Sequence, residues 1–378
     1  MTVPTASPAR RSARAPKLRE AAFDDYQQIA ALEASYGLGP GSYEQWVHFW
    51  RDNPLYRQLR DGWPIGWVLE DENHRVVGSV GNIPLACEIG GRRVIAASGR
   101  AWVSRPAHRS ASLLLLDRVI HQPGIDLYVN STMTREAEPS MQAMECPRVP
   151  VGLWNVSAFW ITNHRAFVRS YLVRKKTPLS GLLSYALGAA AFLKDRTAAK
   201  RLTGTRLPVR AAESFDRRFD AFWDSLRAAH PGVLLTVRSR ESLDWHFKQR
   251  LQRGGVWVAT VCDGARILAY AVFDRRDNRE LGLKRVRLVD FVSLEPGDEL
   301  LPPLLAWALE RCRREGVHML ENTGRWLEPG EAIDRLAPHR RRLSGWIYYY
   351  CASVPWLREK LQHRAAWAPA LFDGNASL

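Results

Sequence analysis

Residues 103–116 read V-S-R-P-A-H-R-S-A-S-L-L-L-L. The stretch leaves a strand at Val103, crosses a short loop of small and basic residues, and enters an apolar run near Ser110 to Ser112. It therefore reads as strand, loop, helix. A helix start leaves its first backbone N–H groups unpaired and carries partial positive charge. Small side chains let a diphosphate approach those amides closely. Arg105, His108 and Arg109 add side-chain charge at the same turn. The stretch is a candidate pyrophosphate cradle. A serine-capped helix with solvent-facing arginines is the plain alternative.

Working outward, helix and strand signals alternate. Glu20 to Tyr36 has apolar residues at helical spacing. Val76 to Ile83, Leu85 to Ile89 and Arg93 to Val103 read as successive strands, the last two separated by Gly90 and Gly91. Ser112 to His121 reads as a helix, Ile125 to Asn130 as a short buried strand, Glu136 to Met144 as a helix, and Val149 to Trp160 as extended. From about Ala211 a similar order begins again. Helices over Phe215 to Ala229 and Ser242 to Leu251 precede a hairpin around Asp263-Gly264. The strand Arg285 to Val292, the helix Leu301 to Glu315 closed by Gly316, and the strands Val317 to Glu321 and Gly345 to Ala352 complete it. The repeated order suggests a duplication.

The opening stretch resembles the acyl-CoA motif of the GNAT acyltransferase superfamily, a strand ending in V-x-P followed by R/Q-x-x-G-x-G/A and a helix. Here Val103 ends the strand one residue further back than usual, Pro106 precedes the loop, and Arg109 matches the leading R/Q. Ser112 stands at the first glycine and Leu114 at the second small position. The resemblance implies CoA contacts at Val103, Arg109, Ser110, Ala111, Ser112, Leu113, Leu114 and Asn130, mostly through backbone amides. It also makes Ile125 to Asn130 the fifth strand, with Asn130 at its splayed end. On the following helix the family's general-acid tyrosine position holds Met141. The second half is similar to a degenerate GNAT domain of tandem or Fem-like transferases, on the segments Arg238 to Phe247 and Leu288 to Val292. Its corresponding loop, Ser293 to Leu301, carries Glu295, Asp298 and Glu299, which repel a diphosphate. CoA is therefore expected in the first half.

The expected fold is α/β, with two GNAT-like domains of mixed twisted sheets flanked by helices. The expected organisation is a disordered basic tail over 1–16, an acyl-CoA-binding domain over 17–162, a basic apolar linker or helix over 163–210, and a degenerate domain over 211–378. Within the linker, Leu179 to Leu193 is an apolar run between basic flanks. It suits either an interdomain helix or peripheral contact with an anionic membrane. It is too short and interrupted to span a bilayer.

The chain has 378 residues, 54 Lys and Arg against 39 Asp and Glu, and a net charge of +15. That balance favours anionic partners without choosing among them. With 46% hydrophobic residues the chain is neither disordered nor low-complexity. The five cysteines show no CxxC spacing, which argues against a zinc knuckle or a redox pair and for a cytoplasmic setting. No metal site, Walker loop or HExxH helix is expected. The fifteen tryptophans, among them Trp46, Trp50, Trp63 and Trp67, are expected mainly in the core.

No covalent nucleophile stands out. The candidates for proton transfer are Asp290, set in an apolar strand, and His108 in the loop. For Asp290 the structural alternative is an ion pair with Arg285 or Arg287. The resemblance implies transfer of an acyl group from acetyl-CoA or another acyl-CoA to an amine or hydroxyl of a small molecule or cell-envelope precursor. Two alternatives stay open: a non-catalytic binding module, and a Fem-like transferase drawing an aminoacyl group from tRNA, which the basic charge suits.

Overall fold

A computed structural model describes residues 15–59, 62–198 and 208–378. The basic tail expected over 1–16 lies outside the described residues except for Ala15 and Pro16. The first half runs β1 (Lys17–Glu20), α1 (Tyr26–Ser35), α2 (Tyr43–Arg51), α3 (Pro54–Leu59), β2 (Gly66–Glu70), β3 (Val76–Ile89), β4 (Arg92–Ser104), α4 (Ser112–Ile120), β5 (Leu127–Thr134), α5 (Glu138–Ala143) and β6 (Val156–Ile161). A helical hairpin follows, α6 (His164–Arg174) and α7 (Ser180–Ala198). The second half runs β7 (Val209–Ala212), α8 (Arg217–Ala229), β8 (Leu235–Thr236), α9 (Arg240–Gln252), β9 (Val256–Asp263), β10 (Arg266–Arg275), β11 (Arg285–Ser293), α10 (Leu301–Arg314), β12 (Met319–Thr323), α11 (Ala332–Leu336), β13 (His339–Arg342), β14 (Gly345–Ala352) and α12 (Pro355–Leu361).

Local chemistry accounts for the helices that cover the first sheet. Ser42 Oγ accepts a hydrogen bond from the Gln45 backbone amide, and Gln45 Oε1 accepts one from the Ser42 backbone N–H, a capping box that starts α2. Helical spacing then turns Trp46, Val47 and Trp50 inward. Trp63 and Trp67 are buried as well, so all four of these tryptophans are core residues.

The two strands expected over Val76 to Ile83 and Leu85 to Ile89 are one continuous strand through Pro84. Proline has no N–H to donate to a ladder and survives where one edge is unpaired. Pairing with β2 ends at Gly81, so Pro84 needs only its partner on β4.

Two seven-stranded sheets result, each mixed and flanked by helices, as two GNAT-like domains require. The first has the order β1-β2-β3-β4-β5-β14, with β8 also on β3; the second has β13-β6-β12-β11-β10-β9-β7. The last strands are exchanged. β6 belongs by sequence to the segment 17–162 but pairs antiparallel with β12 of the second sheet. β14 belongs by sequence to 211–378 but pairs antiparallel with β5 of the first. The boundaries drawn on sequence thus cut through both sheets. One apolar cluster runs across the seam, joining Trp46 and Trp50 to Phe219, Tyr270 and Phe372. The five cysteines are free, and four are buried.

Each sheet has one parallel pair in its middle, β4 with β5 and β11 with β12. In the first sheet the pairing covers only Ala96–Ser98 against Leu127–Val129. Beyond it both strands continue, and they diverge.

Candidate functional site

Both arms of this divergence are bulged. Ser79 pairs with Val103 and Gly81 with Arg100, so Ala101 and Trp102 on β4 face the single residue Val80 on β3. Two residues against one bends a strand and leaves backbone groups outside the ladder. Ala101 takes φ 50, a left-handed conformation disfavoured for any residue with a Cβ. On β5, Ser131 and Thr132 face only Tyr348 of β14. Their polar groups are taken up by the C-terminal segment. Asn375 Oδ1 accepts from the Ser131 amide and hydroxyl, each at 3.0 Å, and Asn375 Nδ2 donates to Thr132 Oγ1 at 2.6 Å.

Asn130 sits in the fork between the arms. Its Nδ2 donates to the Gly99 carbonyl at 3.1 Å, and its Oδ1 accepts from the Thr132 amide at 3.2 Å. The buried amide props the strands apart. The Trp102 indole N–H donates to the Ser112 carbonyl at 3.0 Å and fixes the bulge against the start of α4.

A cleft of about 760 Å³ opens between the arms. One wall is the bulge, Arg100 to Ser104. The opposite wall is Thr132 to Thr134 with Glu136, Ala137 and Ser140. Tyr36 and Leu38 from the loop after α1 add to the lining, and Asn375 reaches in from the far end of the chain. Two cations face the cleft, Arg100 and Arg109. Arg100 is held at 2.9 Å by the buried carboxylate of Glu33, whose pKa burial pushes up against the pull of that arginine. Glu136 is the carboxylate among the lining residues, and hydrogen bonds from Thr134 and from its own amide keep its pKa down.

Of the residues singled out on sequence, Val103, Arg109, Ser112, Leu113 and Asn130 line this cleft. Ser110, Ala111 and Leu114 do not; Leu114 is 48% exposed and leaves the helix start unobstructed. The loop is wound into tight turns. The amides of Ala111, Ser112 and Leu114 donate to His108, Arg109 and Ala111 carbonyls at 3.1, 3.1 and 3.0 Å. The amides of Ser110 and Leu113 take no part in these turns. Of the five amides expected from sequence, that of Leu113 both stays out of these turns and belongs to a residue lining the cleft, beside Arg109.

The proton-transfer candidates lie elsewhere. His108 ends a one-turn helix outside the lining. Asp290 is buried in the second sheet, where Arg238 Nε and Nη2 hold its two oxygens at 2.9 and 3.0 Å. Arg285 and Arg287, the partners considered on sequence, pair with Glu321 instead. Asp290 is buried next to the bulge at Val289, and its carboxylate is taken up by Arg238 and the Tyr270 hydroxyl, so it acts as a structural acid. Met141 is fully buried, and its neighbour Ser140 faces the cleft. Tyr36, Arg100, Glu136 and Asn375 escaped the sequence reading. They come from four separate places in the chain, and only Arg100, three residues before Val103 on the strand that leads into the loop, lay near a signal.

No family model matches the chain, and no curated protein matches it. Solved structures do. The GCN5-related N-acetyltransferase from Kribbella flavida superposes with a TM-score of 0.54 at 14% identity, covering 89% of this chain and 70% of that one. Saccharomyces cerevisiae N-myristoyltransferase with bound myristoyl-CoA superposes with a TM-score of 0.54 at 10% identity, covering 92% and 81%. A probable N-acyltransferase from Enterococcus faecalis V583 gives 0.53 at 10%, covering 89% and 72%. The chain has the GNAT fold.

Proposed function

We propose that the protein transfers an acyl group from an acyl-CoA to an amine or hydroxyl acceptor, and that the reaction occurs in the cleft between β4 and β5. The observation that carries this reading is the convergence of three features on one cavity: a bulged strand, a helix start whose Leu113 amide is uncommitted, and Arg109 beside it. The likeness in fold to acyltransferases supports it.

The residues divide the work. The Leu113 amide and Arg109 hold the CoA diphosphate through charge-assisted hydrogen bonds. The backbone released by the Ala101–Trp102 bulge hydrogen-bonds the thioester carbonyl and stabilises negative charge as it develops there. The acceptor's lone pair attacks the carbonyl carbon. A C–N or C–O bond forms, the C–S bond breaks, and sulfur leaves with the bonding pair. Glu136, directly or through a water, takes the proton that the acceptor loses and returns it to the thiolate. The acceptor is a small molecule or a cell-envelope precursor, and the donor is acetyl-CoA or a longer ester.

A thermal-shift screen against acyl-CoA esters of increasing chain length tests the donor site. At least one ester raises the melting temperature of the wild type, and Arg109→Ala reduces that rise at the same concentration. If no ester moves the melting temperature, the reading fails. Acceptor-dependent appearance of free CoA thiol then separates a transferase from a binding module that kept only the fold. Salt-sensitive tRNA binding without any response to CoA esters counts against both.

A further inference from the structure

The α6–α7 hairpin is built inside out. Along α7 the side turned to protein is the stripe Ser184, Gly188, Ala191 and Asp195, small or polar at helical spacing. A Cβ at Gly188 would sit 2.8 Å from the Arg165 Cα, so the two helices cross at a glycine contact. Asp195 pins the far end by accepting from His164 at 2.8 Å and His339 at 2.9 Å. The leucines point the other way. Leu179 is 72% exposed, Leu182 70% and Leu193 62%, and Tyr171 and Leu187 are exposed with them, while Phe192 sets its ring edge-on against His164. Among the described residues nearly all the chain's exposed large apolar side chains outside the first cleft and its entrance lie on this hairpin.

Such a surface needs a partner. Its charge identifies which. Residues 163–198 contain seven Lys and Arg, namely Arg165, Arg169, Arg174, Lys175, Lys176, Lys194 and Arg196, against one acid, Asp195, which the two histidines already engage. A second copy would bring like charges together. A bilayer with anionic headgroups offers hydrocarbon to the leucines and phosphates to the cations that border them. No helix among the described residues is long and apolar enough to cross a membrane, so the contact is one of lying in the surface.

We infer that the α6–α7 hairpin docks the protein on an anionic lipid bilayer, with Leu179, Leu182, Leu187 and Leu193 sunk into the interface and Lys175 and Lys176 on the headgroups.

Co-sedimentation with vesicles tests this. The wild-type protein pellets with phosphatidylcholine vesicles that contain phosphatidylglycerol and stays in the supernatant with phosphatidylcholine alone. The double variant Leu182→Ser, Leu193→Ser weakens partitioning by on the order of tenfold or more. Lys175→Glu with Lys176→Glu also weakens it by about tenfold or more, and added salt reduces the wild type's binding. All four positions are exposed, and unchanged melting curves verify that the variants fold. The idea is overturned if the wild type ignores anionic vesicles, or if both variants bind as the wild type does. A concentration-dependent dimer that Leu182→Ser, Leu193→Ser dissolves, with no vesicle binding, also overturns it in favour of self-association. Repeating the CoA-ester thermal shift on these variants keeps the two proposals separate, since donor binding persists when docking is lost.

Discussion

The two parallel strand pairs share a plan and differ in what fills it. β4 and β11 both carry a bulge near the point where the neighbouring parallel strand parts from them, at Ala101–Trp102 and at Val289. Around the first bulge the arms enclose an open, cationic cleft. Around the second, the C-terminal segment closes the fork: the Phe372 amide donates to the Val289 carbonyl, and Asp373 joins Asp290 on the buried guanidinium of Arg238. The loops differ in the same sense. The first holds Arg105, His108 and Arg109 with no acid, whereas the second holds Glu295, Asp298 and Glu299 with no base. Its helix then begins Leu301-Pro302-Pro303, so two of the first-turn amides that would meet a phosphate do not exist. One fork is kept empty and positive; the other is filled and serves as the joint between the sheets.

The largest expected effect comes from unplugging the filled fork. Arg238→Ala strands the carboxylates of Asp290 and Asp373 in the seam, and loss of one partner of a buried ion pair costs about 3–5 kcal/mol. Denaturant titration measures it. A loss below about 1 kcal/mol would show that water or a neighbouring cation reaches the site.

Next, the open fork can be made to resemble the closed one. Leu113→Pro removes an uncommitted amide at a first-turn position where proline is tolerated. Melting in the absence of ligand stays within a few degrees, while acyl-CoA affinity by calorimetry falls about tenfold, the scale of one charge-assisted hydrogen bond. Unchanged affinity would remove Leu113 from the cradle.

The seam itself predicts a pH dependence. His246 packs between Phe247 and Phe372, and burial, helped by Arg250 and Arg276, lowers its pKa from 6.5 to about 3. The unfolded chain therefore binds the proton more readily than the folded one between those values. Stability from this group is complete above pH 6.5 and is lost as pH falls toward 3, by about 2 kcal/mol between pH 7 and pH 5. His246→Gln, measured by denaturant titration at both pH values, flattens that limb; equal slopes in the two proteins refute the assignment.

The smallest effect is expected at the open bulge. Ala101→Gly relieves a left-handed conformation at some entropic cost and raises stability by about 0.5 kcal/mol. CoA binding is unchanged, because Ala101 contributes backbone. A destabilisation would mean that the methyl group packs.

Much of the fold was legible because local patterns dictate it. The apolar runs of β9 and β10 on either side of Asp263-Gly264, the apolar face of α8 and the stop at Gly316 each follow from a few neighbouring residues. The helix start at Ser112 and the cations before it were legible for the same reason. Three things were not. The exchange of β6 and β14 depends on which sheet edge each strand meets, and both strands fit either edge by pattern alone. Asp290 looked chemically poised because its partner, Arg238, lies 52 residues away. Asn375 enters the first cleft from 244 residues beyond Ser131, with no motif to announce it.

The sequence by itself determined the order of elements, the basic loop before α4 and the acidic, proline-started loop before α10, since periodicity, charge and the missing proline N–H act within a turn or two of the chain. Only the tertiary structure decided which fork stays open, because that depends on where the C-terminal segment runs: it covers the Val289 carbonyl and binds Arg238 in one sheet, and it lends the other a single side chain, Asn375. Contacts between residues hundreds of positions apart are chosen by the burial of the whole seam, which no local stretch encodes.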